Sequence, residues 1–200
     1  MKKILWNIWT AIFKFGAWFG TYVWWPIWST IRFHKLQRAD VPIAVEYMVC
    51  DLPEIQALLY KVNKKFIYTH DGPDQLWDAI VPPPQNYENF IAGEIRDDCD
   101  GFHSTVYHCL HRSGIRCYLL SVNAFFDGHC VLLFELDNKW YVADYTRYYG
   151  GCDTPKKAIE LYNGIYKDWY NTKHEVVFNG VTEYDYEHRK FKGIRIKAVK

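Results

Sequence analysis

Acidic side chains are missing from the first 39 positions of this 200-residue chain, whose first carboxylate is Asp40. The chain as a whole has little net charge, with 24 basic against 23 acidic residues and a formal charge of +1. That balance excludes a generally basic nucleic-acid binder and an acidic disordered chain. There is no CxxC pair, no internal repeat, and no low-complexity tract apart from an aromatic amino-terminal arm. The length suits one domain with a sizeable core and an appendage, and is too short for two ordinary domains. The near-zero total conceals that division. Lys2, Lys3, Lys14, Arg32, Lys35 and Arg38 stand without an acid, leaving 18 basic and 23 acidic residues after them. A +6 arm, residues 1–38, precedes a stretch of −5 from Asp40 on, which holds the domain, residues 41–200, and six of the nine Trp (Trp6, Trp9, Trp18, Trp24, Trp25, Trp28) fall in the arm.

From Ile4 to Ile31 the only charged side chain is Lys14. A helix over that length reaches about 42 Å, more than a hydrocarbon core of about 30 Å, so a membrane span is long enough to consider. Pro26 interrupts it, and Asn7, Thr10 and Lys14 form a narrow polar stripe that suits a helix lying in the interface or packed on a partner. Tyr22-Val23-Trp24-Trp25-Pro26 offers bulky aromatics where a cleavable signal peptide needs small residues. Arg32, Lys35 and Arg38 outnumber Lys2 and Lys3, which places the main domain in the cytoplasm if the arm spans. The expectation is a membrane or hydrophobic partner for residues 1–31, with a cytoplasmic protein as the reading if the arm is buried against its own domain or another subunit.

In the domain, Asp51-Leu52-Pro53-Glu54 opens a helix whose apolar face is Ile55, Leu58, Leu59, Val62 and Phe66. Asp71-Gly72-Pro73 breaks the chain, residues 74–81 suit a short helix, and Pro82-Pro83-Pro84 predicts an extended segment. Acids at Asp97, Asp98 and Asp100, the apolar series Phe102, Val106 and Leu110, basic His111 and Arg112, and Gly114 delimit a second helix. Residues 117–124, 129–136 and 140–144 then read as an antiparallel meander turning at Asp127-Gly128 and Asp137-Asn138. Thr154-Pro155 starts a further helix, and residues 175–178, 181–186 and 194–198 read as short strands.

Cys99 therefore sits at a helix N-terminus, where the macrodipole and unpaired N–H groups favour a thiolate and can bind an oxyanion. The neighbouring acids oppose that, so a cationic partner is needed, and His129 is the best candidate. If Asp137-Asn138 is a two-residue hairpin loop, Leu136 pairs with Lys139 and Asp144 falls opposite Val131, a diagonal neighbour of His129 on one face. A three-residue loop would separate them onto opposite faces.

With Asp98-Cys99-Asp100-Gly101-Phe102, Ser113-Gly114-Ile115-Arg116, Gly128-His129-Cys130-Val131 and the run from Leu136 to Thr146, the chain resembles the transglutaminase-like superfamily of papain-fold cysteine enzymes. The resemblance implies an α+β papain-like core, with a nucleophile helix packed on an antiparallel sheet behind the Trp-rich apolar helix. It implies Cys99 as nucleophile, His129 as general base and acid, and Asp144 as the group orienting His129. The expected activity is acyl transfer or hydrolysis at an amide or peptide carbonyl of a protein or peptide substrate, with no cofactor. The alternative is an inactive interaction module on the same fold. Asp97, where the family often has Gly, and Cys130, where a small residue or Trp commonly follows the His, depart from the pattern. No upstream Gln or Trp stands at an assignable spacing for a second oxyanion donor.

Zinc competes on composition, since Cys99, His103, His108, Cys109, His111 and Cys117 crowd together, but their helical spacing points them different ways. His103, one turn beyond Cys99, rivals His129 as its partner, although that spacing suits packing better. Asp97, Asp98, Asp100 and Gly101 are similar to a calcium loop, yet lack its later acids and are explained by helix capping. Removing Cys99 for catalysis leaves an odd five cysteines, against a disulfide framework.

Overall fold

Turn chemistry sets the centre of the fold. In the computed structural model, which describes residues 2–24, 27, 46–69, 81–124, 127–169, 176 and 178–194, β4 (Asp127–Leu136) and β5 (Lys139–Asp144) meet at Asp137 and Asn138. Both turn residues lie in the left-handed region, with φ of 51° and 57°, the type I′ geometry that Asp and Asn tolerate and strand twist favours. Leu136 pairs with Lys139 and the ladder continues to Leu132 with Ala143, the register of a two-residue loop.

β3 (Arg116–Ala124), β6 (Arg147–Cys152), β7 (Phe178–Asp185) and β8 (Lys190–Ile194) extend this hairpin into a six-stranded antiparallel sheet ordered β6-β5-β4-β3-β7-β8. A separate parallel pair joins β1 (Phe66–Tyr68) to β2 (Ile95–Asp97). α2 (Leu52–Lys65), α3 (Pro83–Ala92) and α4 (Cys99–Arg112) cover one face of the large sheet, with Phe102, Val106 and Leu110 packing on Leu119, Leu132 and Phe134. On the other face α5 (Pro155–Trp169) seats Ala158, Ile159, Tyr162 and Tyr166 against Leu120, Val131, Leu133 and Val142. Burial on both faces is why β4 reads as an unbroken apolar run. The fold is mixed α+β.

α4 begins where expected. Asp98 is its N-cap, accepting the Asp100 N–H at 3.0 Å, and Gly114, at φ 78°, closes it as Ile115 N–H reaches back to Leu110 O. At α2, Asp51 accepts the Glu54 N–H while the Glu54 carboxylate accepts the Cys50 N–H.

Several expectations are corrected. The triple proline does not extend the chain: Pro83 and Pro84 open α3, where a proline's missing N–H is not needed by the helix. Asp127 and Gly128 are strand residues paired with Ala124 and Asn123, so β3 and β4 join through residues 125–126, outside the described residues. β6 was not expected at all. Gly150, at φ 143°, lets that strand pass Trp140, whose carbonyl oxygen would lie 2.4 Å from any Cβ there. β7 takes in Phe178 and most of the strand expected at 181–186, while residues 175 and 177 and all but Ile194 of the strand expected at 194–198 lie outside the described residues; β8, from Lys190, was not expected. The short helix expected at 74–81 and the boundary between arm and domain fall largely or wholly outside the described residues.

The arm forms α1 (Lys2–Phe19) and a π-helical turn, Gly20–Trp24. Tyr22 fastens it to the sheet edge, its hydroxyl donating to Ile194 O at 3.2 Å and its ring meeting Phe178 edge-on at 6.0 Å. Among the described residues no helix is long and apolar enough to cross a membrane. The 18 residues of α1 reach about 27 Å. The charge asymmetry that would orient a span therefore has no described span to orient.

Candidate active site

β5 ends at Asp144, and Tyr145, at φ 47°, turns the chain away from β4. The N-terminus of α4 enters beside that break. Cys130 N–H donates to Cys99 Sγ at 3.3 Å, so the sulfur lies within about 6 Å of the His129 Cα by backbone geometry. His129 Nε2–H donates to Asp144 Oδ1 at 2.9 Å, leaving Nδ1 as the ring nitrogen not used by the carboxylate. The other carboxylate oxygen accepts the Tyr162 hydroxyl at 2.8 Å, and Tyr166 stacks on the imidazole at 6.0 Å and 16°. The three residues singled out from sequence are thus together: His129 and Asp144 are hydrogen-bonded and buried, and half-buried Cys99 touches the backbone next to His129.

Burial by itself would raise the Asp144 carboxyl. The hydrogen bond and charge of His129, the charge of His103 and the Tyr162 hydroxyl outweigh it and hold the group below the usual carboxylate range.

His103 has a different place from the one its rivalry with His129 suggested. It is fully buried, its Nδ1–H donates to the Cys99 carbonyl at 2.6 Å, and its Nε2 accepts the Tyr145 N–H at 3.1 Å. Desolvation, stronger than the opposing pull of Asp144, brings it down to about 4. A neutral imidazole with both nitrogens used clamps the first turn of α4 to the end of β5. Composition marked His103, but its bridge to Tyr145, together with the hydroxyl of Tyr162 and the stacking of Tyr166, had no signal in sequence spacing.

Other groups that crowd near Cys99 in the sequence are turned to different partners or buried. His108 pairs with the Tyr186 hydroxyl at 2.9 Å, and the Cys117 thiol donates to Tyr107 O. Burial pushes the Cys109 thiol up to about 12 and Cys117 well above its ordinary value. None of the six cysteines is in a disulfide. Carboxylates of Asp97, Asp98 and Asp100 gather within 4.8 Å. Asp97 accepts the Asp98 N–H and Asp98 the Asp100 N–H, so two of the three serve the entry to α4. The exposed group of Cys50, Asp51 and Glu54 is the cap of α2.

No protein-family model matches the chain, and no curated protein matches it. A solved structure of a candidate cysteine protease from Cytophaga hutchinsonii is similar over 62% of this chain, at 12% identity and a TM-score of 0.37. The match takes in 42% of that protein's chain, so this chain spans under half its length. A likeness this distant carries no argument about fold or activity.

Proposed function

We propose that the chain is a thiol enzyme of the transglutaminase-like, papain-fold type, acting at an amide or peptide carbonyl. One constellation supports this reading: His129 is held by Asp144 through Nε2, and the Cys99 sulfur rests against the peptide N–H that follows His129. In the reaction Nδ1 of His129 takes the thiol proton and Cys99 sulfur attacks the carbonyl carbon. The Cys99 backbone N–H, at the start of α4, receives the oxyanion. As the C–N bond breaks, His129 returns the proton to the leaving amine and a thioester remains. Water then attacks, His129 removes its proton, and the thiol is restored with a carboxylic acid released. An amine in place of water gives transamidation. Asp144 stays ionised and stabilises the imidazolium that alternates with neutral His129.

Selective alkylation tests this without a known substrate. Iodoacetamide at neutral pH should label Cys99 ahead of the more exposed Cys50, and His129→Ala should slow that labelling by about tenfold or more. Equal labelling of Cys99, Cys50 and Cys152 would overturn the activated nucleophile and leave the inactive interaction module.

A further inference from the structure

The face that α1 turns outward is the apolar one. Thr10, Phe13 and Ala17 of α1, with Gly20 just after it, recur at helical spacing and are half-buried, and α1 packs on β7. On the opposite side Ile8, Ile12, Phe15 and Phe19 are exposed at 51, 57, 65 and 42%. Trp9 and Trp18 flank that row, at 62 and 45% exposed, and Asn7 and Lys14 mark the polar flank. Soluble monomers rarely leave a contiguous apolar surface of this kind in water.

We propose that α1 seats the protein on an anionic bilayer, lying along the interface rather than crossing it. The proposal is independent of the chemistry at Cys99. Charge selects the occupant. The arm carries Lys2, Lys3, Lys14, Arg32, Lys35 and Arg38 with no acid before Asp40, so pairing two copies through it would bring like charges together. Anionic headgroups complement the same charges, and Trp is the side chain most favoured at headgroup depth. At about 27 Å, a helix with Lys14 inside its length fits the interface better than the core. Tyr22, bonded to Ile194 and packed on Phe178, makes the attachment part of the folded sheet. Phe178 and Asn179 align across β3 with Gly128 and His129, so the attachment lies at the His129 end of the sheet. β8 is three strand spacings, about 14 Å, from β4.

Co-sedimentation of the full chain with vesicles tests this, using phosphatidylcholine alone and phosphatidylcholine mixed with phosphatidylglycerol. Binding should be at least about tenfold tighter to the anionic vesicles and should fall with salt. Ile12→Ser with Phe15→Ser should abolish it, and Lys14→Glu should weaken it about fivefold or more. These side chains are exposed, so an unchanged thermal unfolding midpoint is expected and separates lost binding from lost folding. Failure to sediment with either vesicle, equal binding to both, or a soluble dimer that the Ile12 and Phe15 substitutions dissolve would each overturn the proposal.

Discussion

Lowering the pH from 7 to 5 should cost this protein about 4 kcal/mol of folding stability, through two histidines of α4 that cannot take up protons while folded. His103 is held down to about 4 by burial, with His129 adding to the effect and Asp144 opposing it. Burial, with the nearby charges of Arg112 and His111, brings His108 to about 4 as well. An unfolded histidine titrates near 6.5, so on acidification the unfolded chain binds protons first. The stability is present above about pH 6.5 and is lost as pH falls toward 4. At pH 5, about 1.5 units below the unfolded value, each histidine has lost about 2 kcal/mol, at 1.36 kcal/mol per unit. His111 is displaced in the same direction by burial and adds to the loss, while Asp144, held below the carboxylate range, titrates outside this window. Urea unfolding at pH 7, 6 and 5 measures the effect. His103→Asn keeps a donor for the Cys99 carbonyl but removes the titrating ring, so its pH-dependent loss should fall to about 2 kcal/mol. Comparing each protein with itself across pH cancels any general destabilisation. A wild-type stability that is flat between pH 7 and 5, or a variant with the same pH loss as wild type, would refute the argument.

Asp144→Asn should slow iodoacetamide labelling of Cys99 by tenfold or more at neutral pH while the protein stays folded, because the imidazole loses its ionised partner. An unchanged rate would remove the orienting role. Tyr162→Phe deletes the donor to the second Asp144 oxygen and should cost about 1–3 kcal/mol by urea unfolding, with acid unfolding beginning at a higher pH. Gly150→Ala should cost about 2 kcal/mol or more, since its Cβ meets the Trp140 carbonyl, whereas Gly151→Ala, with no atom nearer than 3.9 Å, should cost less. Phe102→Ala should lose about 3–5 kcal/mol by opening a cavity in the α4 face of the core.

Where rules act over a few residues, the sequence was readable. Asp98 and Gly114 mark the ends of α4, and Asp51 with Glu54 marks the start of α2, because caps satisfy backbone groups within one turn. Asp137-Asn138 sets the β4–β5 register, and that register alone puts His129 and Asp144 on one face. The same local reasoning failed at Pro82-Pro83-Pro84, where proline's preference for a first helical turn won over its preference for extended chain, and β6 went unread because Gly150, which lets it pass close to β5, breaks the apolar pattern of a strand.

The sequence by itself determined the ends of α4, the start of α2, the β4–β5 register and with it the nearness of His129 and Asp144, since period, caps and turn type are short-range constraints. Tertiary structure decided which groups surround that pair and Cys99: His103 bridging to Tyr145, Tyr162 bonding Asp144, and Tyr166 stacking on His129. It also decided which side of α1 meets β7 and which is left to the outside. Those outcomes depend on how α4, α5 and the arm pack across the sheet, and a contact made by packing leaves no spacing in the chain from which to read it.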